Sequence, residues 1–495
     1  MPMVEIKTTT QNLAQSNEPV ILCFFEDELT LNADFKSLDA KYANVINSAI
    51  KENMFKGVDC QILPLYLNKI ILAGFGKKEK AELRKVSNTL AQAIRGVRGL
   101  DIKKATIHLD NLLGAKFGDE ELYEKAAISM HLGLYQYNNY KTKDLDKVKS
   151  IETISISMQK GKEEKAKKIL ARAKILGEAV MNTRDLVNTP PNIAIPQYAA
   201  EYATQLAKQN KLKITVLDEK ELARLGMNCY VAVGQASVNK PRMVIVEYNG
   251  ADKQAPTILV GKGITFDTGG INTKPQPSML TMKDDKAGAC SVLHVIAAAA
   301  QLGLKVNLIV IGVFAENAVS GNAYKPDDIF KSYAGITVEV LHSDAEGRMV
   351  LCDALAYAID KYKPKEIIDI ATLTGAAIVA TGYLASPILG NDQELINKLI
   401  ASGERSFDRL WQLPLWEEHD EIIKSDIADI KHVSQDMDAG TIVGAAFLKQ
   451  FIKDTKWVHL DIAATVMVKA DKGFRVKGAT GYSVLLLLDY LMNQK

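Results

Sequence analysis

The chain has few cysteines, almost no net charge and no long apolar run, and each scarcity removes a class of protein. Its 495 residues contain five cysteines: Cys23, Cys60, Cys229, Cys290 and Cys352. Their number is odd and no two form a C-x-x-C pair, so a disulfide framework is not expected. Scattered thiols suit a reducing compartment, where Cys behaves as a small buried apolar residue. Lys and Arg number 61 against 59 Asp and Glu, a formal charge of +2. That balance points to neither nucleic acid nor a membrane surface as the main partner. No stretch reaches the ~18 consecutive apolar residues of a membrane helix. The opening MPMVEIKTTTQNLAQSNEP has no basic segment followed by an apolar core, so no secretory leader is expected and the cytoplasm is the expected location.

What is present is an ordinary globular balance, 47% hydrophobic and 24% charged, long enough for about two domains. In the first part, Val20–Phe25, Lys69–Gly74, Ala105–Leu109 and Ile151–Met158 read as strands. Glu79–Gly99 between them has helical spacing, which argues an N-terminal α/β domain. Residues Lys160–Lys174 form a basic run (KGKEEKAKKILARAK) that reads as the solvated face of a bridging helix, with a nucleic-acid patch as the sharper alternative. NTPPN (Asn188–Asn192) breaks that helix before a new one near Gln197. The expected organisation is an N-terminal α/β domain over 1–165, variable and oligomeric or regulatory in role. A linker helix follows over 166–188, and a larger catalytic domain over 189–495.

The second part has a clearer βα rhythm. Lys213–Leu217, Arg242–Tyr248, Thr257–Val260, Val306–Val313, Glu366–Ile370 and Trp457–Ile462 read as strands. Helices are expected at Ala287–Leu302, Val350–Tyr362 and Ala439–Lys453. Near-continuous apolar strands separated by helices predict a mostly parallel central sheet flanked by helices. In such sheets a ligand site lies beyond the carboxyl ends of the strands.

Three charged clusters fall there. Thr257–Val260 is followed by GKGITFDTGG (Gly261–Gly270), whose spacing fits neither a P-loop nor a dinucleotide fingerprint. Lys262 and Asp267 are placed at the strand's end, and its glycines read as tight turns and points of close backbone approach. Then come Lys274 and MKDDKAGA (Met282–Ala289), where Asp284 and Asp285 open a helix. The third cluster is HSDAEGR (His342–Arg348); in extended chain Asp344 and Glu346 would share one side. Taken singly, each cluster reads as helix capping. Together they bring Asp267, Asp285, Asp344 and Glu346 to one sheet end with Lys262, Lys274 and Arg348. So many charges cannot be left unpaired. Divalent cations would neutralise the carboxylates, and a pair ~3.5–4 Å apart activates a shared water and clamps a carbonyl oxygen.

These blocks resemble the signatures of the leucyl (cytosol) aminopeptidase family. The resemblance runs from RDLVNTPPN (Arg184–Asn192) through VAVGQAS, ATLTGA, LPLWEEH, SDIADI and WVHLDIA to KGATGY (Lys477–Tyr482). It implies a cytosolic metallo-aminopeptidase that releases N-terminal residues, Leu and other apolar ones first. It assigns Lys262, Asp267, Asp285 and Glu346 to a tighter metal, with Lys262 as a neutral amine. Asp267, Asp344 and Glu346 take a more exchangeable one. The metals are Zn or Mn, with Mg or Co as further options. Lys274 polarises the scissile carbonyl, and Arg348 holds a bicarbonate that shuttles a proton. Met282, Thr372, Leu373 and Gly375 map to substrate binding. The assembly implied is a homo-hexamer, a dimer of trimers. Alternatives are a cysteinylglycine dipeptidase or an added DNA-binding, regulatory role. The sequence departs from the family where it has His342-Ser343 in place of Asn-Thr and Lys286 in place of Met. Lys286 reads as solvent-facing or ion-paired, and His459 and Asp461 as structural.

Overall fold

The computed structural model describes residues 3–113, 116–158, 160–436 and 438–494. The chain divides into two compact units, Met1–Met181 with Val468–Lys477, and Asn182–Met467 with Gly478–Lys495. The division falls inside one 26-residue helix, Glu163–Asn188.

The first unit holds a six-stranded sheet. Its order is Glu5–Thr9, Thr153–Ser157, Lys104–His108, Val20–Phe24, Ile70–Gly74, Ile62–Leu65. Neighbours run parallel except the last pair. The apolar runs VILCF and IILAG are buried along their whole length, as strands covered on both faces must be. Phe24 packs edge-on against Phe35 and Phe55. The first strand and Ile62–Leu65 were not foreseen, because EIKTT and ILPL are short and partly exposed.

The second unit is built on an eight-stranded sheet. Its order is Leu410–Gln412, Ser386–Gly390, Trp457–Asp461, Glu366–Ala371, Thr257–Asp267, Asn307–Asn317, Arg242–Asn249, Lys213–Asp218. The four strands from Trp457–Asp461 to Asn307–Asn317 are mutually parallel, and antiparallel pairings flank them. Helices cover the sheet and bury Ile258, Val260, Ile311, Leu351 and Leu355 completely. Each such side chain contributes roughly 1.5–3 kcal/mol by leaving water.

Two expectations change here. Thr257–Asp267 is one eleven-residue strand, so Lys262 stands within it and only Asp267 marks its end. Of the glycines in GKGITFDTGG, Gly261 and Gly263 are points of close approach within the strand, and Gly269 and Gly270 make the turn after it. A Cβ on Gly261 would lie 2.5 Å from Ala289 and Gly288 of the helix Ala287–Gln301. Glycine in a strand here admits a close helix backbone. Likewise, the strand before HSDAEGR, Thr337–Glu339, belongs to a separate three-stranded sheet with Ile329–Lys331 and Ile430–Lys431. Asp344 and Glu346 do not share an extended segment: Asp344 lies in a turn and Glu346 begins the helix Glu346–Tyr362. That helix ends where Lys363 takes a φ of 47° ahead of Pro364.

Candidate metal centre

Successive residues of a strand face opposite sides of the sheet. Gly261 faces the helix Ala287–Gln301, so Lys262 projects to the other face, where Gly347 lies against its Cε and Nζ. Its Nζ sits 2.7 Å from Glu346 Oε1 and 2.9 Å from Asp285 Oδ1, and donates to the Thr372 carbonyl at 2.9 Å. Asp285 comes from the short 3-10 turn Met282–Lys286 that precedes the helix Ala287–Gln301. Its Oδ1 also accepts from Thr372 Oγ1 at 2.6 Å. Asp267 closes the central strand. Its Oδ1 accepts from the Gly269 N–H and from Asn317 Nδ2, and its Oδ2 faces Lys274 Nζ at 2.8 Å. Lys274 also pairs with Asp344 at 2.5 Å. Gly269 and Gly270, with φ of 87° and 67°, give the chain the turn that brings Lys274 back over the sheet end.

Six of the seven charged residues expected at the sheet end thus meet, and Lys262, Asp267, Asp285, Glu346 and the seventh, Arg348, are all buried. Carboxylate oxygens of Asp267, Asp344 and Glu346 lie within 4.8 Å of one another. Burial first, and then the like charge of neighbouring carboxylates, raises the pKa of Asp344 and Glu346. Burial also raises that of Asp285. Burial works against charge on Lys262 and Lys274, but the acidic groups around them outweigh it and hold both ammoniums. Asp285 Oδ2 is buried with no hydrogen-bond partner. A buried carboxylate oxygen left bare is costly, so this donor set fits a divalent cation.

Arg348 stands in the first turn of the helix Glu346–Tyr362, where its Nη1 donates to the His432 carbonyl at 2.6 Å and its Nε has no partner. Burial lowers its pKa to about 10, which leaves it charged at neutral pH. Thr372, Leu373 and Gly375 form the loop after the strand Glu366–Ala371. Asp461 anchors it, accepting from Leu373 N–H and Thr374 Oγ1. Met282 is half-buried, and a Cβ on the exposed Gly375 would meet nothing within 4 Å. His459 is fully buried, with Nδ1 2.6 Å from Asp369 Oδ1.

Lys286 overturns its expectation. It is completely buried, and its Nζ bonds to three backbone carbonyls rather than to water or a carboxylate. Asn317 and Tyr324 escaped the sequence reading as supporting residues, and Ser343 was noted there only as a departure from the family. Asn317 ends the neighbouring strand in register with Asp267 and orients it. Ser343 bonds the Gly269 carbonyl and the Asn272 N–H. Tyr324 donates to the Ser343 carbonyl. Only Asn317 left a signal, a polar residue closing an apolar strand beside Asp267.

The basic run of the long helix is largely ion-paired. Lys162 and Lys165 face Asp119 and Glu120, Arg172 faces Glu124, and Lys167 faces Glu164. No described helix is long and apolar enough to cross a membrane.

Comparison with known proteins gives a consistent picture. Residues 181–488 match the catalytic domain of the cytosol aminopeptidase family, and residues 20–144 match its N-terminal domain. A probable cytosol aminopeptidase of Geobacter sp. (strain M21) is 39% identical over 499 residues, covering 99% of each chain. A cytosol aminopeptidase of Pseudomonas aeruginosa is 40% identical over 478 residues, covering 94% of each. Among solved structures, the bottromycin maturation enzyme BotP in complex with Mn superposes with a TM-score of 0.86 at 26% identity. That match covers 96% of this chain and 99% of the other.

Proposed function

The chain belongs to the cytosol aminopeptidase family and is a metal-dependent aminopeptidase of the cytosol acting on peptides; we propose how its residues divide that work. Lys262, as the neutral amine once the ion displaces its proton, would hold one divalent ion together with Asp267, Asp285 and Glu346, and Asp267, Asp344 and Glu346 would hold a second. The convergence of three carboxylates within 4.8 Å, beside a bare buried Asp285 oxygen, carries this reading. Such an ion pair supplies a water of lowered pKa and a Lewis acid for the scissile carbonyl. Manganese is favoured by the Mn complex of the structural relative, with zinc, magnesium and cobalt as alternatives.

Lys274 would donate to the substrate's carbonyl oxygen as negative charge develops there. Asp267 and Asp344 fix the direction of its ammonium. Arg348 would hold a small anion, bicarbonate in the family resemblance, as the nearby proton acceptor. Its buried, unpartnered Nε supports this. The substrate's side chain would lie against Met282, Thr372 and Gly375, with Leu373 offering backbone contacts. The open space at Gly375 suits a branched apolar residue such as Leu. The domain division proposed is 1–165, 166–188 and 189–495. A hexamer would cover part of the exposed Val379, Tyr383, Leu384, Trp411 and Trp416.

Stripping the metals, restoring each ion separately and assaying aminoacyl amides and dipeptides, Cys-Gly included, tests this. Turnover should need an added ion, favour apolar N-terminal residues and vanish on N-acetylated peptides. Equal cleavage of acetylated peptides, or turnover without metal, would overturn it.

A further inference from the structure

The helix Glu163–Asn188 ends beside the metal centre, and the last carbonyls of any helix lack intrahelical partners. Here two lysines from one short turn meet that end. Lys286 Nζ donates to the Val187 carbonyl at 3.1 Å, to the Thr189 carbonyl at 3.2 Å and to the Lys283 carbonyl at 2.5 Å. Lys283 Nζ donates to the Asn188 carbonyl at 2.9 Å. Lys286 is 0% exposed, and its three N–H donors match three acceptors. A buried ammonium whose hydrogen bonds all go to backbone carbonyls, with Asp284 and Asp285 nearby, is held by the chemistry through which backbone oxygens replace the hydration shell of a monovalent cation. The turn so clamped is Met282–Lys286, which carries Asp285.

We propose that Lys286 is a positioning residue: its ammonium acts as a tethered monovalent cation in a cage of the Val187, Thr189 and Lys283 carbonyls, and so fixes the turn that presents Asp285. The clamp acts on backbone, not on the substrate. It holds Asp285 Oδ1 between Lys262 Nζ and Thr372 Oγ1, leaving Oδ2 free of protein donors. The role in presenting a ligand rests on the metal-site reading above, whereas the cage itself does not.

The test compares metal-free wild type with Lys286→Met in tetramethylammonium, potassium and ammonium chloride at equal ionic strength. Potassium and ammonium are small enough to enter the carbonyl cage, while tetramethylammonium is too large and has no N–H. The melting temperature of Lys286→Met should rise by several degrees from tetramethylammonium to potassium or ammonium, and that of wild type should not. In the same variant, half-maximal activation should need more divalent metal in tetramethylammonium, with ammonium restoring it and KM little changed. A lysine that only fills space predicts a lowered melting temperature with no cation selectivity, and that outcome overturns the proposal. If Lys286→Met is insoluble, Lys286→Gln carries the same salt comparison, and equal melting in all three salts again overturns it. A selective rise in melting without any shift in metal requirement would leave the cage standing and sink its role in placing Asp285. Because melting is read on metal-free protein, it stands apart from any failure of the aminopeptidase reading.

Discussion

Lys262 Nζ lies 2.7 Å from Glu346 Oε1, and the residue after Glu346, Gly347, leaves just enough room for that lysine to arrive. A Cβ on Gly347 would stand 2.7 Å from both Cε and Nζ of Lys262. The lysine has nowhere to retreat, because it is 2% exposed. Gly347→Ala should therefore cost about 1–3 kcal/mol by overpacking. It should also lower metal occupancy more than a comparable Gly→Ala change far from the site, as read by elemental analysis after dialysis. Unchanged occupancy would mean that Lys262 is not held by this contact.

Glu346 and Asp267 are assigned to both ions. Glu346→Gln or Asp267→Asn removes a bridging charge, and kcat should fall by at least ~10³-fold. Steady-state kinetics at saturating metal checks this. Near-native turnover with full metal loading would remove these residues from the bridge.

In the proposed division of roles Lys274 serves the substrate, and its side chain is more open than that of Lys262. Lys274→Ala should reduce kcat by ~10²–10³-fold, the scale seen when a transition-state donor is lost. Metal content should stay at the wild-type level. Loss of metal in step with activity would make Lys274 a support for Asp267 and Asp344 instead.

Buried neutral histidines contribute a share of stability that acid removes. Burial lowers His294 from 6.5 to about 4 and His131 from 6.5 to about 3. The Cys290 carbonyl can only accept, so Nδ1 of His294 carries the proton and Nε2 accepts from Tyr202. Between the folded and unfolded pKa values the unfolded chain binds more protons, so stability rises with pH in that window. Urea unfolding midpoints of wild type measured against those of His294→Gln should thus fall relative to the variant as pH drops from 6.5 toward 4. An unaltered slope in the variant would take His294 out of the account.

Much of this centre was legible in the chain. Acidic and basic residues stand out in apolar surroundings, and the βα rhythm put three clusters near one sheet end. Their local geometry was less legible. Gly261 and Gly263 permit close approach inside a strand that continues to Asp267 instead of ending it, so Lys262 was placed too near the strand's end. Ser386–Gly390 carries Pro387 and Leu410–Gln412 is three residues long, which hid both from a pattern of alternating strands and helices. Asn317 and Tyr324 reach the site from segments outside the three clusters and carry no charge to draw notice, while Ser343 stood within HSDAEGR with no role assigned to it. Lys286 was misread because burial of a lysine depends on carbonyls about a hundred residues away in sequence, which no local pattern encodes.

The central claim is that four carboxylates and Lys262 form one site for two divalent ions. Calorimetric titration of metal-free protein with Mn, with turnover followed in parallel, tests it most directly. The account predicts two ions bound per chain, a tighter one and a weaker one, with only the weaker lost in Asp344→Asn. A single class of one ion per chain, or no loss in Asp344→Asn, would contradict it.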